Sequence, residues 1–470
     1  MPSASLVRGQ RLSSSDEGPS LEALRQAQER LVASSPPDAD VHARTLAWLG
    51  SLPSGEAPPP APGRGGLGAL RQLWREAFGS TAPAPLPGTN RLERLEAART
   101  FEPSVEVLAR TAAGRFSPGP LRHVTWFIPA FSHPFGGVHT LLRFGHLLRV
   151  RHGVQSLFVA YTRTAETPRE LAARAATVFP EPPGEFHVLQ DWDEVARLPP
   201  TDLAVATLWT SAYLVPRHPR ARALAYFVQD DESLFYASGT YALLAEHTYR
   251  LGLYGIFNTR GLHDAITGRH GMQGCWFEPS VDGDIFHPPA HPHAPFDPVR
   301  VIFYGRPSTD RNAFELGLAA LRRLKAIHGD RVDIVSAGES WDPAAYGVRG
   351  VVRNLGVLGY ERTGALYRTC QVGLCFMFSR HPSYLPLEWM ASGVAVVTND
   401  NPDNHWLLEH GRNCLLARPT VEGVEGALTR AVMDGAFRAS LAAEGLARMK
   451  RTRWESAVDR VHAALTGAAP

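Results

Sequence analysis

From residue 121 onward, short apolar runs rich in β-branched and aromatic residues alternate with helical stretches, and they do so in two successive series. A run that is apolar at every position needs cover on both faces, and a helix between successive strands supplies it, so parallel sheets sandwiched by helices are the economical outcome. The first series places strands at 122–131, 155–161, 202–208, 223–229, 255–258 and 275–281, with a helix over 138–150. A proline-rich break over 287–298 separates it from a second series at 299–304, 332–337, 351–358, 372–378 and 394–398. A long helical stretch over 421–450 and a shorter one over 454–465 follow. The pattern predicts two doubly wound α/β domains, 121–286 and 287–450, with a C-terminal helical segment, 451–470, able to cross back to the first.

Residues 1–120 have a different texture. Fifteen of the 38 prolines fall there, and runs such as Pro58-Pro59-Pro60 favour extended, solvated backbone. Short helical patterns at 21–32, 41–52 and 67–78 lie between them, and Leu70, Leu73, Trp74 and Phe78 recur at helical spacing. This helical, proline-rich extension either packs on the body or serves as an arm that contacts a membrane surface or another synthase subunit. Across the chain, 48 basic and 46 acidic residues give a formal charge of +2, which offers no electrostatic footprint for nucleic acid. No apolar run reaches the ~18 residues of a membrane span, and Met1–Gln10 lacks the apolar segment of a secretory leader. Cys275, Cys370, Cys375 and Cys414 lack metal-ligand spacing and read as buried thiols in a cytoplasmic protein.

Three segments carry chemistry. Gly136-Gly137 sits between the first strand and its helix, where close backbone approach and free helical N–H groups suit an anion; His139 follows as a possible partner for phosphate or as a helix-start residue. The second domain opens similarly with Gly305-Arg306 and Arg311, two guanidiniums able to converge on a diphosphate unless Arg311 pairs with Asp310 or Glu315. The third is Arg380-His381-Pro382-Ser383-Tyr384-Leu385-Pro386-Leu387-Glu388, in which Glu388 lies among apolar neighbours and needs a partner, either ribose hydroxyls or Arg380. Asp230, Asp231 and Glu232 end a first-domain strand; such adjacent carboxylates stay solvated or bind something. Asp282-Gly283-Asp284 at the hinge reads as structural, since a Mg²⁺ site needs more carboxylates.

In order and spacing these features resemble retaining glycosyltransferases of the GT-B type, family 4. The resemblance covers about 121–450 and rests on Gly136-Gly137, Pro279 to Pro288, Gly305-Arg306 with Arg311, Leu358-Gly359-Tyr360, and Leu387 to Ala391 ahead of Gly393. The segments 311–317 and 381–388 look more narrowly like the rhamnosyltransferases of bacterial surface glycans. The resemblance implies a cleft between two Rossmann-like domains, the first on the acceptor side and the second binding a nucleotide sugar. It implies no cofactor or metal, and a glycan or lipid-linked glycan as acceptor. Arg306, Arg311, Asp230 and Asp231 would serve the reacting sugar diphosphate. Gly136, Gly137, His139, Gly305, Leu358, Gly359, Ser383, Tyr384, Leu385 and Glu388 would hold the donor. The family carries a second glutamate eight positions before Glu388; here that position is Arg380, which fits a donor other than glucose, such as a 6-deoxyhexose.

The implied reaction transfers a sugar from a nucleoside diphosphate to a hydroxyl of a cell-surface polysaccharide, with retained configuration, at the inner face of the membrane or in the cytoplasm. Two other readings share the fold: a catalytically silent glycan- or partner-binding protein, and a nucleotide-sugar 2-epimerase, which the motifs fit less well.

Overall fold

The computed structural model describes residues 116–131, 136–162, 164–179, 181–291 and 298–468. The helical patterns and apolar face expected between 21 and 78 lie outside the described residues.

Two parallel sheets form the frame. The first has seven strands in the order β3-β2-β1-β4-β5-β6-β7: β1 (His123–Ile128), β2 (Gln155–Ala160), β3 (Glu185–Val188), β4 (Thr201–Ala206), β5 (Ala221–Val228), β6 (Tyr254–Asn258) and β7 (Gly274–Phe277). The second has six in the order β10-β9-β8-β11-β12-β13: β8 (Val299–Gly305), β9 (Val332–Gly338), β10 (Arg353–Asn354), β11 (Val372–Leu374), β12 (Ala395–Asn399) and β13 (Cys414–Ala417). Both orders reverse direction beside their first strand, at β1/β4 and at β8/β11. Doubly wound sheets bind ligands outside the carboxyl ends of strands at such a switch point.

Each sheet is apolar on both faces, as the strand runs require. In the first, Trp126, Phe158 and Phe227 pack on one side and Phe127, Tyr226 and Phe257 on the other. Each such side chain contributes ~1.5–3 kcal/mol by leaving water. The first crossover helix, α1 (Gly136–His152), buries Leu141, Leu142, Phe144 and Leu148 against this sheet. Arg149, Arg151 and His152 complement its carboxyl end, and Gly153, at φ +69°, turns the chain out of it. The helices α2 (Pro168–Ala175), α3 (Trp209–Ala212), α4 (Thr240–Thr248) and α5 (Arg260–His270) complete the first domain. The helices α6 (Phe314–His328), α7 (Tyr360–Tyr367), α8 (Leu385–Ala391), α9 (Val421–Met433) and α10 (Gly435–Met449) belong to the second. The last helix, α11 (Trp454–Thr466), inserts Trp454, Val458 and Val461 into the first domain's core.

Several elements differ from the sequence expectation. The helix expected over 421–450 is two, because Asp434 leaves the helical conformation and its side chain accepts from the Phe437 amide at 2.9 Å, starting α10 anew. The strand expected over 351–358 shrinks to the two residues of β10. There the Asn354 side-chain Nδ2 donates to the carbonyls of Glu339 and Trp341, and Gly356 takes φ +69°. The strand expected over 372–378 ends at Leu374, after which side chains replace the ladder: Asn312 donates to the Phe376 carbonyl at 3.0 Å, and the Asn399 side-chain oxygen accepts from the Met377 amide at 2.9 Å. Two short strands, β3 and β13, were not expected.

Candidate functional site

The loops after β1, β8 and β11 meet at the carboxyl ends of the two sheets around a cavity of about 480 Å³. Gly136 and Gly137 line it from the first domain. Arg306, Leu358, Ser383, Tyr384, Leu385 and Glu388 line it from the second. Gly136 takes φ +53° at the start of α1, and that helix carries no acidic residue in its first turn to occupy its N–H groups. Such a terminus favours an anion.

Arg306 stands on the cavity wall with Nη1 donating to the Tyr304 hydroxyl at 3.1 Å. Arg311 reaches toward the first domain, its guanidinium 4.0 Å from the ring centroid of Phe235. Burial is the main influence on Arg311 and lowers its pKa; Asp230 opposes that effect, and Arg306 adds to it. Among the described residues no carboxylate lies within ion-pair distance of either arginine, and the Nε atoms of both are buried without a hydrogen-bond partner. The pairing of Arg311 with Asp310 or Glu315 left open by the sequence therefore does not form. Arg306 on the cavity wall, with the guanidinium of Arg311 close enough to repel it, favours an anion there.

Glu388 is enclosed on α8 by Leu387 and Trp389, and its exposed edge faces the cavity. Burial pushes its pKa up to about 8, although the Tyr367 hydroxyl bonds to it. Arg380 does not pair with it. Instead Arg380 donates from Nε to Asp231 at 2.9 Å and from Nη1 to Asp403 at 2.7 Å.

Six of the expected site residues lie outside the cavity wall, among them Arg311, whose guanidinium stands over the ring of Phe235. Asp230 and Asp231 are neither a solvated edge nor part of the cavity wall; they are buried in contacts with the second domain. Asp230 accepts from Ser379 Oγ at 2.6 Å and from the amides of Arg380 and His381 at 3.1 Å each. His139 turns away from the cavity toward Arg143 and Asp282, its ring 4.7 Å from that of Tyr360. Gly305 is buried at the end of β8, where a Cβ would stand 2.3 Å from Ser336 Oγ, so its role is close packing. Gly359 caps α7 between the wall residues Leu358 and Tyr360. Asp282 is committed to Arg143, in keeping with a structural hinge.

The cavity also uses Gly338, Val357, Thr363 and Tyr367, which no motif singled out, and Tyr360, the last residue of the Leu358-Gly359-Tyr360 motif. A signal existed for Gly338, which ends β9 level with Gly305 at the end of β8. Tyr360 and Tyr367, seven apart, fall on one face of a helix. A larger, more open depression of about 610 Å³, lined by Lys325, Asp333 and Arg349, lies by the amino ends of β8 and β9, away from these loops.

Comparison with known proteins agrees with this geometry. The family model described as WsaF, C-terminal domain, matches residues 299–429. The O-antigen biosynthesis protein RfbC of Myxococcus xanthus is 57% identical over 354 residues, which cover 75% of this chain and 28% of that protein. The chain thus spans little more than a quarter of the curated relative it matches. Sucrose-phosphate synthase from Thermosynechococcus elongatus superposes with a TM-score of 0.60 at 14% identity, covering 74% of this chain and 100% of that one. Anabaena Alr3699/HepE, solved in complex with UDP and glucose, gives 0.57 at 14% identity, again over 74% and 100%. The chain has the GT-B glycosyltransferase fold, two parallel-sheet α/β domains meeting at a cleft, and is a homologue of an O-antigen biosynthesis protein.

Proposed function

We propose that this protein is a glycosyltransferase that moves a sugar from a nucleoside diphosphate to a hydroxyl of a surface glycan or its lipid-linked precursor. The observation that carries the reading is Arg306, on the cavity wall opposite the amino end of α1 and without a carboxylate partner among the described residues, with the charge of Arg311 near it. As the glycosidic bond breaks, negative charge accumulates on the departing diphosphate. Guanidiniums and N–H groups already in place meet that charge without reorganising, which is where electrostatic catalysis is strongest. Glu388, facing the same cavity, is suited to the two hydroxyls of a ribose, with the ring of Tyr360 nearby.

The finer reading is a retaining, metal-independent transferase of family 4 acting on a 6-deoxyhexose such as rhamnose. Arg380 supports it: at the position of the family's first glutamate it is held by Asp231 and Asp403, so this loop offers no carboxylate there to a sugar hydroxyl. The diphosphate's charge would be met by Arg306 and Arg311, and retention would let the leaving phosphate take the acceptor's proton. No described helix is long and apolar enough to cross a membrane; contact with the inner membrane face would be peripheral.

The test is calorimetry with uridine and deoxythymidine diphosphates, followed by transfer and hydrolysis assays over a panel of nucleotide sugars. The parent protein binds one of the diphosphates and consumes a 6-deoxyhexose donor, while Arg306→Ala and Glu388→Ala lose both properties in large part. If neither nucleotide binds, or if both variants match the parent, the reading is wrong. Binding with no turnover of any donor would favour the silent glycan-binding alternative, to which the loss of the first glutamate already points.

A further inference from the structure

The acidic run that ends β5 lies outside the cavity wall, and all three of its residues are buried. Asp230 reaches across the cleft to the segment 379–381, taking one hydroxyl and two amide hydrogens. Asp231 takes the Nε hydrogen of Arg380, whose other end is held by Asp403. That segment is the root of the cavity wall. Two residues later Ser383 holds φ +66°, uncommon for a residue with a side chain, and its amide donates to His381 Nδ1 at 3.0 Å. Tyr384 then accepts from Thr140 and Asn258 of the first domain, at 2.9 Å each. Upstream, the Phe378 amide donates to the Arg311 carbonyl at 2.9 Å, so the same segment fixes the backbone of Arg311.

We propose that Asp230 and Asp231 are positioning residues: a carboxylate clamp from the first domain that sets the second domain's 378–385 segment, and with it Arg311 and the Ser383–Leu385 wall. The donor half of the cleft then takes its final shape only when the two domains meet. An acid at this strand end, expected to touch a sugar, is instead used to shape the wall that holds one. A carboxylate accepting from three donors is a strong anchor, and removing it leaves two buried amides without partners, which is costly. The proposal takes the cavity to be the donor site, as above, but its central test needs no donor.

That test is hydrogen exchange followed by mass spectrometry on the full chain. Asp230→Ala and Arg380→Ala should each speed exchange of the 378–385 amides by about tenfold or more, with β11 and β12 unchanged. Asp230→Asn, which keeps an accepting oxygen, should fall between Asp230→Ala and the parent. Asp202→Ala serves as control: that carboxylate also accepts two backbone amides, from Arg122 and His123, but within the first domain, so the segment should not respond. A parallel titration with uridine diphosphate should show weaker binding by Asp230→Ala. If the parent itself fails to bind any nucleoside diphosphate, the functional reading falls while the exchange result still decides the clamp. Unchanged exchange at 378–385 in both alanine variants, or acceleration spread evenly over the second sheet, would overturn it.

Discussion

The two sheets share a strand order and a switch point, yet their strand ends are in opposite electrostatic states. At the end of β5 three consecutive acids are fully engaged by protein groups: Asp230 by the 379–381 segment, Asp231 by Arg380, and Glu232 by the Trp209 amide and the Tyr226 hydroxyl. After β8 Arg306 stands on the cavity wall and Arg311 against Phe235, neither with a carboxylate partner among the described residues. Both arrangements bury ionisable groups, and a buried charge is stable only when paired. The acids have partners within the protein, whereas the two arginines have no carboxylate partner among the described residues. Charge type alone does not mark a site; the state of its partners does.

The largest effect that tests this contrast comes from the unpartnered side. On the proposed function Arg311→Ala removes one of the two guanidiniums that serve the departing diphosphate, and donor turnover should fall roughly a hundredfold or more, ~3 kcal/mol, with thermal stability little changed. Rate and melting temperature measured on the same preparation check it. A variant that loses stability but keeps its rate would mean that Arg311 is a strut across to Phe235, and the contrast between the strand ends would vanish.

A smaller effect concerns Glu388, the acid that faces the cavity rather than a protein cation. With a pKa of about 8 it holds its proton at pH 7 in the empty cleft. Two ribose hydroxyls would donate to the ionised form and favour it, so uridine diphosphate binding near pH 7 should release up to about one proton. Affinity should then rise as the pH climbs toward 8 and level off above it. Calorimetry in buffers of different ionisation enthalpy measures the release, and Glu388→Gln should abolish it.

Much of this was legible in the residues. Alternating strand and helix runs predicted both sheets, because burial on two faces leaves an unmistakable apolar signature. The strands that escaped notice are short: Glu185-Phe-His-Val188 mixes polar residues into an edge position, and Cys414–Ala417 has no β-branched residue to mark it. Gly136, Gly137, Arg306 and Glu388 stood out because a glycine turn, a strand-end arginine and an acid in an apolar helix are each costly unless used. What local sequence does not carry is long-range pairing. Three adjacent acids must find partners or water, but Ser379 and Arg380 lie 149 positions from Asp230 and Asp231. Only the folded cleft brings them together.

The smallest effect comes from the third acid of the run. Glu232 is buried, and despite two hydrogen bonds, burial and the neighbouring Asp230 and Asp231 carry its pKa up to about 8. An unfolded glutamate ionises near 4.5, so above that value the folded state binds the extra proton and loses its advantage as the pH passes about 8. The melting temperature should therefore decline as the pH rises from about 7 to about 8.5. Glu388 adds in the same direction. Glu232→Gln removes one of the two contributions, so its melting curve should decline less steeply over the same interval. An unchanged slope would mean that Glu232 is already ionised in the folded protein, held by its hydrogen bonds alone. The acids at the first domain's strand end would then carry their charges as fully as the arginines opposite.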